Sequence, residues 1–168
     1  MLVSAPHFND PEGWKPTSLN AAEKNLAIQN LRARVPSFEQ CPPTDKNSDS
    51  SDAEDPPPNL IPYPDEQVMF IKTYRSKRGE VLVGMRVPFE QSNCDSFDNH
   101  NFYSYWFVLN GTSVRFLDTQ MMPMDAADLT GSGHSVWIFQ TSRGEDEDGY
   151  ELYYDDFARH ADFSWHYH

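Results

Sequence analysis

Residues 125–157 read DAADLTGSGHSVWIFQTSRGEDEDGYELYYDDF, and the two patterns they join decide the fold. The first is a cation-loop pattern. Asp128, Thr130 and Ser132 stand at alternate positions, which points three oxygen-bearing side chains into one small cup. Gly133 follows, where the backbone can turn so that the next carbonyl also faces a hard cation. The second pattern is a hairpin. SVWIFQT (135–141) and GYELYYD (149–155) are β-branched and aromatic runs separated by the acidic loop SRGEDED.

Working outward, the same strand signal recurs from Gln67 to the C-terminus. VMFIKTY (68–74) and EVLVGMRV (80–87) are joined by SKRG, where Gly79 takes the left-handed conformation of a tight turn. YSYWFVL (103–109) and TSVRFLD (112–118) flank Asn110-Gly111, a strong hairpin dipeptide. DFSWHYH (162–168) closes the set. Each run lies next to its neighbour in sequence, so the pattern predicts a mainly β protein: an antiparallel meander sheet of about seven strands. Two hairpin pairs of similar length are compatible with propeller-blade-like units.

The N-terminal half differs in kind. Residues 1–19 are irregular by composition, with Phe8 and Trp14 large enough to pin them to a surface. Asn20 with Glu23 three residues later is a helix start, and Pro36 is its stop. Leu26, Ala27, Ile28, Leu31 and Val35 give that α-helix an apolar stripe to pack on the sheet. Residues 42–66 are rich in Pro, Ser and Asp and read as a linker or long loop. The expected organisation is therefore an extension and helix over 1–41, the linker over 42–66 and an antiparallel β domain over 67–168.

Charge restricts the partners. The 168 residues carry a formal net charge of −13 with a sequence pI near 4.6, which opposes nucleic acid because a polyanion needs clustered Lys and Arg. A small molecule, a glycan or a protein ligand fits better. No apolar run approaches the roughly 20 residues of a membrane span. Cys41 and Cys94 allow one pairing, and a disulfide closing about 50 residues would contribute about 4 kcal/mol in the chain-entropy model; two unrelated buried thiols are the alternative. The first residues lack a signal-peptide pattern, so the protein is either cytosolic or extracellular or periplasmic with a leader removed before Met1.

AADLTGSGHSVWIF resembles the calcium loop of FG-GAP repeats, the motif of integrin-α and VCBS-type proteins, in a degenerate form. The resemblance implies Ca²⁺ as cofactor, with Asp128 as first ligand, Thr130 and Ser132 in place of the usual acid or amide positions, and the His134 carbonyl as a further donor. Val136 replaces the closing acid. Asp125, Asp155, Asp156 and Asp148 are candidates to supply the missing charge. More widely, DGYELYYDDFARHADFSWHYH, VPSFEQC and SNCD resemble a group of uncharacterised bacterial exported proteins, which implies secretion and the Cys41–Cys94 pairing.

The functional expectation is an exported binding or interaction module with a degenerate Ca²⁺ loop and a glycan or protein ligand. Tyr150, Tyr153, Tyr154 and Trp165 are among the aromatics available for stacking. The alternative is a small Ca²⁺-dependent hydrolase of ester, lactone or glycosidic bonds, using Asp125, Asp128, Asp155 and Asp156. Ser132 is flanked directly by Gly131 and Gly133 and does not form a nucleophile elbow. His166 and His168, two apart on a strand, share a face and read as a surface pair at the chain end.

Overall fold

The computed structural model describes residues 9–40, 59–87, 104–143 and 147–166. In chain order its elements are β1 (Lys15–Pro16), α1 (Ala21–Arg34), β2 (Phe38–Gln40), β3 (Asn59–Ile61), β4 (Met69–Arg75), β5 (Val81–Arg86), β6 (Tyr105–Asn110), β7 (Ser113–Thr119), β8 (Met121–Ala127), β9 (Val136–Ser142), β10 (Glu147–Tyr154) and β11 (Arg159–His166). Nine strands make two antiparallel sheets, ordered β1-β4-β5-β6-β7 and β11-β10-β9-β8, while β2 and β3 form a separate ribbon. The protein is mainly β with one long helix. Among the described residues no helix is long and apolar enough to cross a membrane.

The expected meander is present, divided in two. Every strand from β4 to β11 pairs with its sequence neighbour except at β7–β8, where the chain changes sheet. The change occurs at Gln120, a non-glycine residue at φ 56°. Its amide donates to the Ser104 carbonyl (3.1 Å) and its carbonyl accepts from the Ser142 amide (3.2 Å), so the bend is tied to both sheets. The Ser104 hydroxyl and the Trp106 indole N–H each donate to the Met121 carbonyl at 2.8 Å, fixing the first residue of β8.

The five-stranded sheet is covered on both faces. Val81, Val83, Met85, Phe107 and Leu109 pack with Ala27 and Leu31 of α1. Leu82, Trp106 and Val108 point the other way and pack with Met121, Trp137, Phe139 and Tyr153 of the second sheet. This explains why β5 is buried at five successive positions instead of alternating. Trp106 lies opposite Gly84 across β5 and β6, and a Cβ at Gly84 would stand 2.6 Å from its ring. The glycine gives the indole its space, and the ring meets Phe139 edge-on at a centroid distance of 5.5 Å.

Helix α1 starts as the sequence indicates. Asn20 accepts from the Glu23 amide and Glu23 accepts from the Asn20 amide, both at 2.9 Å, a complete capping box. Glu23 also pairs with Arg75 of β4 at 2.9 Å, and that bond is the first cause holding its carboxyl below the usual range.

Two expectations change. Residues 59–66, assigned to the linker, belong to the fold: β3 pairs with β2, and Tyr63 is buried in the helix-side core with its hydroxyl donating to the Val35 carbonyl. Burial of the Tyr63 ring outweighs the neighbouring prolines. The Asn110-Gly111 turn is displaced by one residue, since Asn110 pairs with Ser113 and the loop is Gly111–Thr112. Positive φ occurs only at Gly111 (61°), the pattern of a type II′ turn. Cys41 and Cys94 lie outside the described residues.

Gly84→Ala forces the Trp106 ring out of its seat between the sheets. The expected cost is about 1–3 kcal/mol, read as a lower urea midpoint at unchanged slope. An unaltered midpoint would show that the ring has room to move.

Candidate functional site

At one end of the sandwich four segments of the chain meet around charged groups. They are residues 9–14, the β4–β5 turn, the loop 128–135 and the β10–β11 turn. Glu12 is only 8% exposed. Its carboxylate accepts from the Trp14 indole N–H (3.1 Å), pairs with Arg78 (3.0 Å) and lies 3.3 Å from His134 Nδ1. Arg78 also bonds buried Glu80 (3.0 Å) and Asp156. The Asp156 bond leads the causes that raise the Arg78 pKa, followed by Glu80 and Glu12, so the guanidinium is permanently charged. A carboxylate buried this deeply requires such partners.

Glu12, His134 and Asp156 each offer one ligand atom, all within 4.8 Å of one another. Arg78 already bonds both carboxylates of that group, so a guanidinium occupies the role a divalent cation would take. The arrangement is an ion-pair joint between segments.

The loop after β8 is closed by its own acid. Asp128 accepts from the amides of Thr130 (3.3 Å), Ser132 (3.0 Å) and Gly133 (2.8 Å), while the Thr130 hydroxyl donates to Ser132 Oγ at 2.9 Å. Gly131 and Gly133, at φ 71° and 81°, permit the curvature that aims these amides inward. The Gly133 amide leads the hydrogen bonds that hold the Asp128 carboxyl below its usual range. One turn therefore brings Asp128, Thr130 and Ser132 together, its oxygens bonded to its own amides and hydroxyls. Its donor set falls short of the about six to eight oxygens a calcium ion takes, because it has one carboxylate and that carboxylate serves three amides.

The supplementary acids are dispersed. Asp125 lies within β8 opposite Ile138 and accepts from the Ala126 amide at 2.8 Å. Asp148 is on β10 between Ser142 and Trp165, at the strand end remote from the loop. Asp156 is committed to Arg78. Asp155 alone reaches the space beside Thr130 and Ser132. His134 turns its ring to Glu12.

The outer face of the second sheet is the other unusual feature. Along β10, Gly149, Glu151 and Tyr153 are buried, so Tyr150, Leu152 and Tyr154 alternate outward. Register places Trp165 beside Asp148, Phe163 beside Tyr150, Ala161 beside Leu152 and Arg159 beside Tyr154. The Trp165 ring contacts Tyr150 (5.6 Å) and Phe163 (5.9 Å), and Phe163 is 65% exposed. Sequence reading found these aromatics without knowing their faces. It missed Glu12 and Arg78, which find each other and Asp156 across the chain and leave no local pattern, and it missed Arg159, which reaches Tyr154 and Asp155 only because a turn folds it back on them. Comparison with protein-family models, with curated proteins and with solved structures finds no match to this chain.

Two outcomes test this geometry. Arg78→Met leaves buried Glu12 and Glu80 without their cation and is expected to cost about 1–3 kcal/mol, and adding Glu12→Gln recovers part of that loss in a double-mutant cycle. Strict additivity would mean the two do not interact. For Asp128 the folded pKa is depressed, so its contribution is full above the unfolded value of about 3.9 and is lost as pH falls through the folded value. The Tm gap between the natural chain and Asp128→Ala should therefore be constant near neutrality and close only under strongly acid conditions. A gap that is already closing at neutral pH would refute the amide-bonded carboxylate.

Proposed function

We propose that this is an exported binding module that lays a neutral glycan along the outer face of β10 and β11. The observation that carries the reading is the cluster of Tyr150, Phe163 and Trp165 on a solvent-facing sheet surface, with the Trp165 ring touching the other two. An antiparallel sheet with one free face ordinarily places polar side chains there. Exposed rings in a contiguous group mark a contact surface. Sugars suit it because a pyranose presents a C–H face to an aromatic ring while its hydroxyls reach neighbouring polar groups, here Gln140, Asp148 and Arg159. The net charge of −13 disfavours polyanionic ligands over neutral ones. The rings are inclined to one another by 47° and 43°, which matches a twisted oligosaccharide better than a flat crystalline surface.

Calcium enters this proposal only in a weak form. Asp128, Thr130 and Ser132 at one turn support an ion, but a single carboxylate supports affinity no tighter than about millimolar. EDTA is expected to leave Tm unchanged, and a clear fall on chelation would instead establish a tight ion.

Calorimetric titration with soluble cello-, xylo-, malto- and chito-oligosaccharides tests the glycan reading. At least one series is expected to bind, and Phe163→Ala or Trp165→Ala to weaken it by about tenfold each. Binding indifferent to both substitutions, or self-association through this face in sedimentation without sugar binding, would overturn the reading.

A further inference from the structure

The outer face of β10 and β11 does not run out into solvent at both ends. From Trp165 to Arg159 it extends about 20 Å at roughly 3.3 Å per residue. Beyond the Tyr154–Arg159 pair it meets the loop that carries Thr130 and Ser132. Between them lies a cavity of about 220 Å³. We infer that this cavity is a subsite for one terminal neutral sugar ring, gripped through its hydroxyls by Arg159 and Asp155. The inference rests on the glycan reading and adds to it that the module recognises a chain end.

The lining supplies both halves of sugar chemistry. Tyr154 offers an aromatic wall, Thr130 Oγ1, whose proton goes to Ser132 Oγ, keeps acceptor capacity, and Ser132 keeps its own proton to donate. The Arg159 guanidinium lies over the Tyr154 ring at 5.1 Å, which holds it at the cavity instead of leaving it to sweep through solvent. Arg159 and Asp155 are 3.6 Å apart at their nearest, beyond hydrogen-bond range, so donor and acceptor both keep capacity for a ligand. A donor and an acceptor side by side complement adjacent hydroxyls of a sugar.

Other ligand classes fit less well. A divalent cation meets the positive Arg159, and an anion meets Asp155 within a strongly acidic chain. A neutral polyol meets neither penalty. The wall itself is held in place against strain. Asp155, Asp156 and Phe157 take φ values of 51°, 54° and 62°, and no glycine relieves the run. It persists because Phe157 is buried against Trp14 and because Asp156 is bonded to Arg78. Those anchors set Asp155 at the mouth of the cavity.

The test is an amide-resolved NMR titration of the full chain with the methyl glycosides of glucose, galactose, mannose, xylose and N-acetylglucosamine. A single ring is expected to bind with Kd on the order of 1 mM, within reach of the method. Shifts are expected at residues 130–135 and 154–159 for at least one glycoside. Arg159→Gln should weaken that response by about tenfold, whereas Lys24→Gln, exposed on α1 and outside both the platform and the cavity, leaves it unchanged. Shifts confined to Tyr150, Phe163 and Trp165 would overturn the subsite while keeping the platform. If neither these glycosides nor the oligosaccharides give any shift, both readings fail together.

Discussion

The central sheet has to be covered on both faces, and this constraint organises everything else. Strands β5 and β6 carry apolar side chains at consecutive positions, so neither side of the sheet can face water without exposing several large residues. One face is covered by α1, a helix of 14 residues. The other needs a wider cover, and the chain supplies it by turning at Gln120 and laying β8 to β11 across it. A three-layer stack leaves the last layer with one uncovered side. In this protein that side carries Tyr150, Phe163 and Trp165, so the surplus of aromatics appears only after both core interfaces have been filled.

The joint around Arg78 addresses a different difficulty. Beside the buried Trp14–Phe157 contact, three carboxylates, an arginine and a histidine hold together the segments that meet at this end of the sandwich. Such a joint is directional where an apolar contact is not. Glu12 orients the Trp14 indole, and Asp10 collects the amides of Glu12, Gly13 and Trp14 together with the Ser135 hydroxyl. The result ties the N-terminal segment to the loop and the loop to the β10–β11 turn. Burying Glu12 and Glu80 carries a desolvation cost, so their contribution is better understood as fixing geometry than as adding stability.

Legibility in the sequence followed the range of the interaction. The capping box at Asn20 and Glu23, the turn glycines and the seven strand runs are local, and all were readable. Strand β8 was not, because MMPMDAA has no β-branched residue and contains Pro123, which sits beside a register shift on an edge strand. The division into two sheets was hidden for a related reason: Gln120 adopts a left-handed backbone without glycine, and tertiary hydrogen bonds enforce it. In the candidate site, Asp128, Thr130 and Ser132 are bonded within one turn, so their spacing was enough to group them. Glu12 and Arg78, 66 positions apart by number (78 − 12), had no local signal to give.

The two strands of the outer face are held unequally, and this bears on how such a surface meets a ligand. Beneath Tyr150 and Leu152, β10 is locked from the inside: Glu151 is buried, accepts from the Tyr153 hydroxyl at 2.7 Å and is bonded to Arg143, which also reaches Asp118 at 3.2 Å. Burial and Glu151 together raise the Tyr153 pKa, so the phenol remains a donor. Strand β11 has less backing, being exposed at every position but one and joined to the body through its ladder with β10, the strained turn and the His160 ring against Tyr153. Elements with few buried contacts open at the lowest free energy. Tyr150 is thus presented on a fixed strand, while Phe163 and Trp165 stand on one that can adjust by small rotations. Under the glycan proposal, a fixed ring beside adjustable ones suits ligands of differing twist, and the cavity walled by the anchored turn is the rigid place for discrimination.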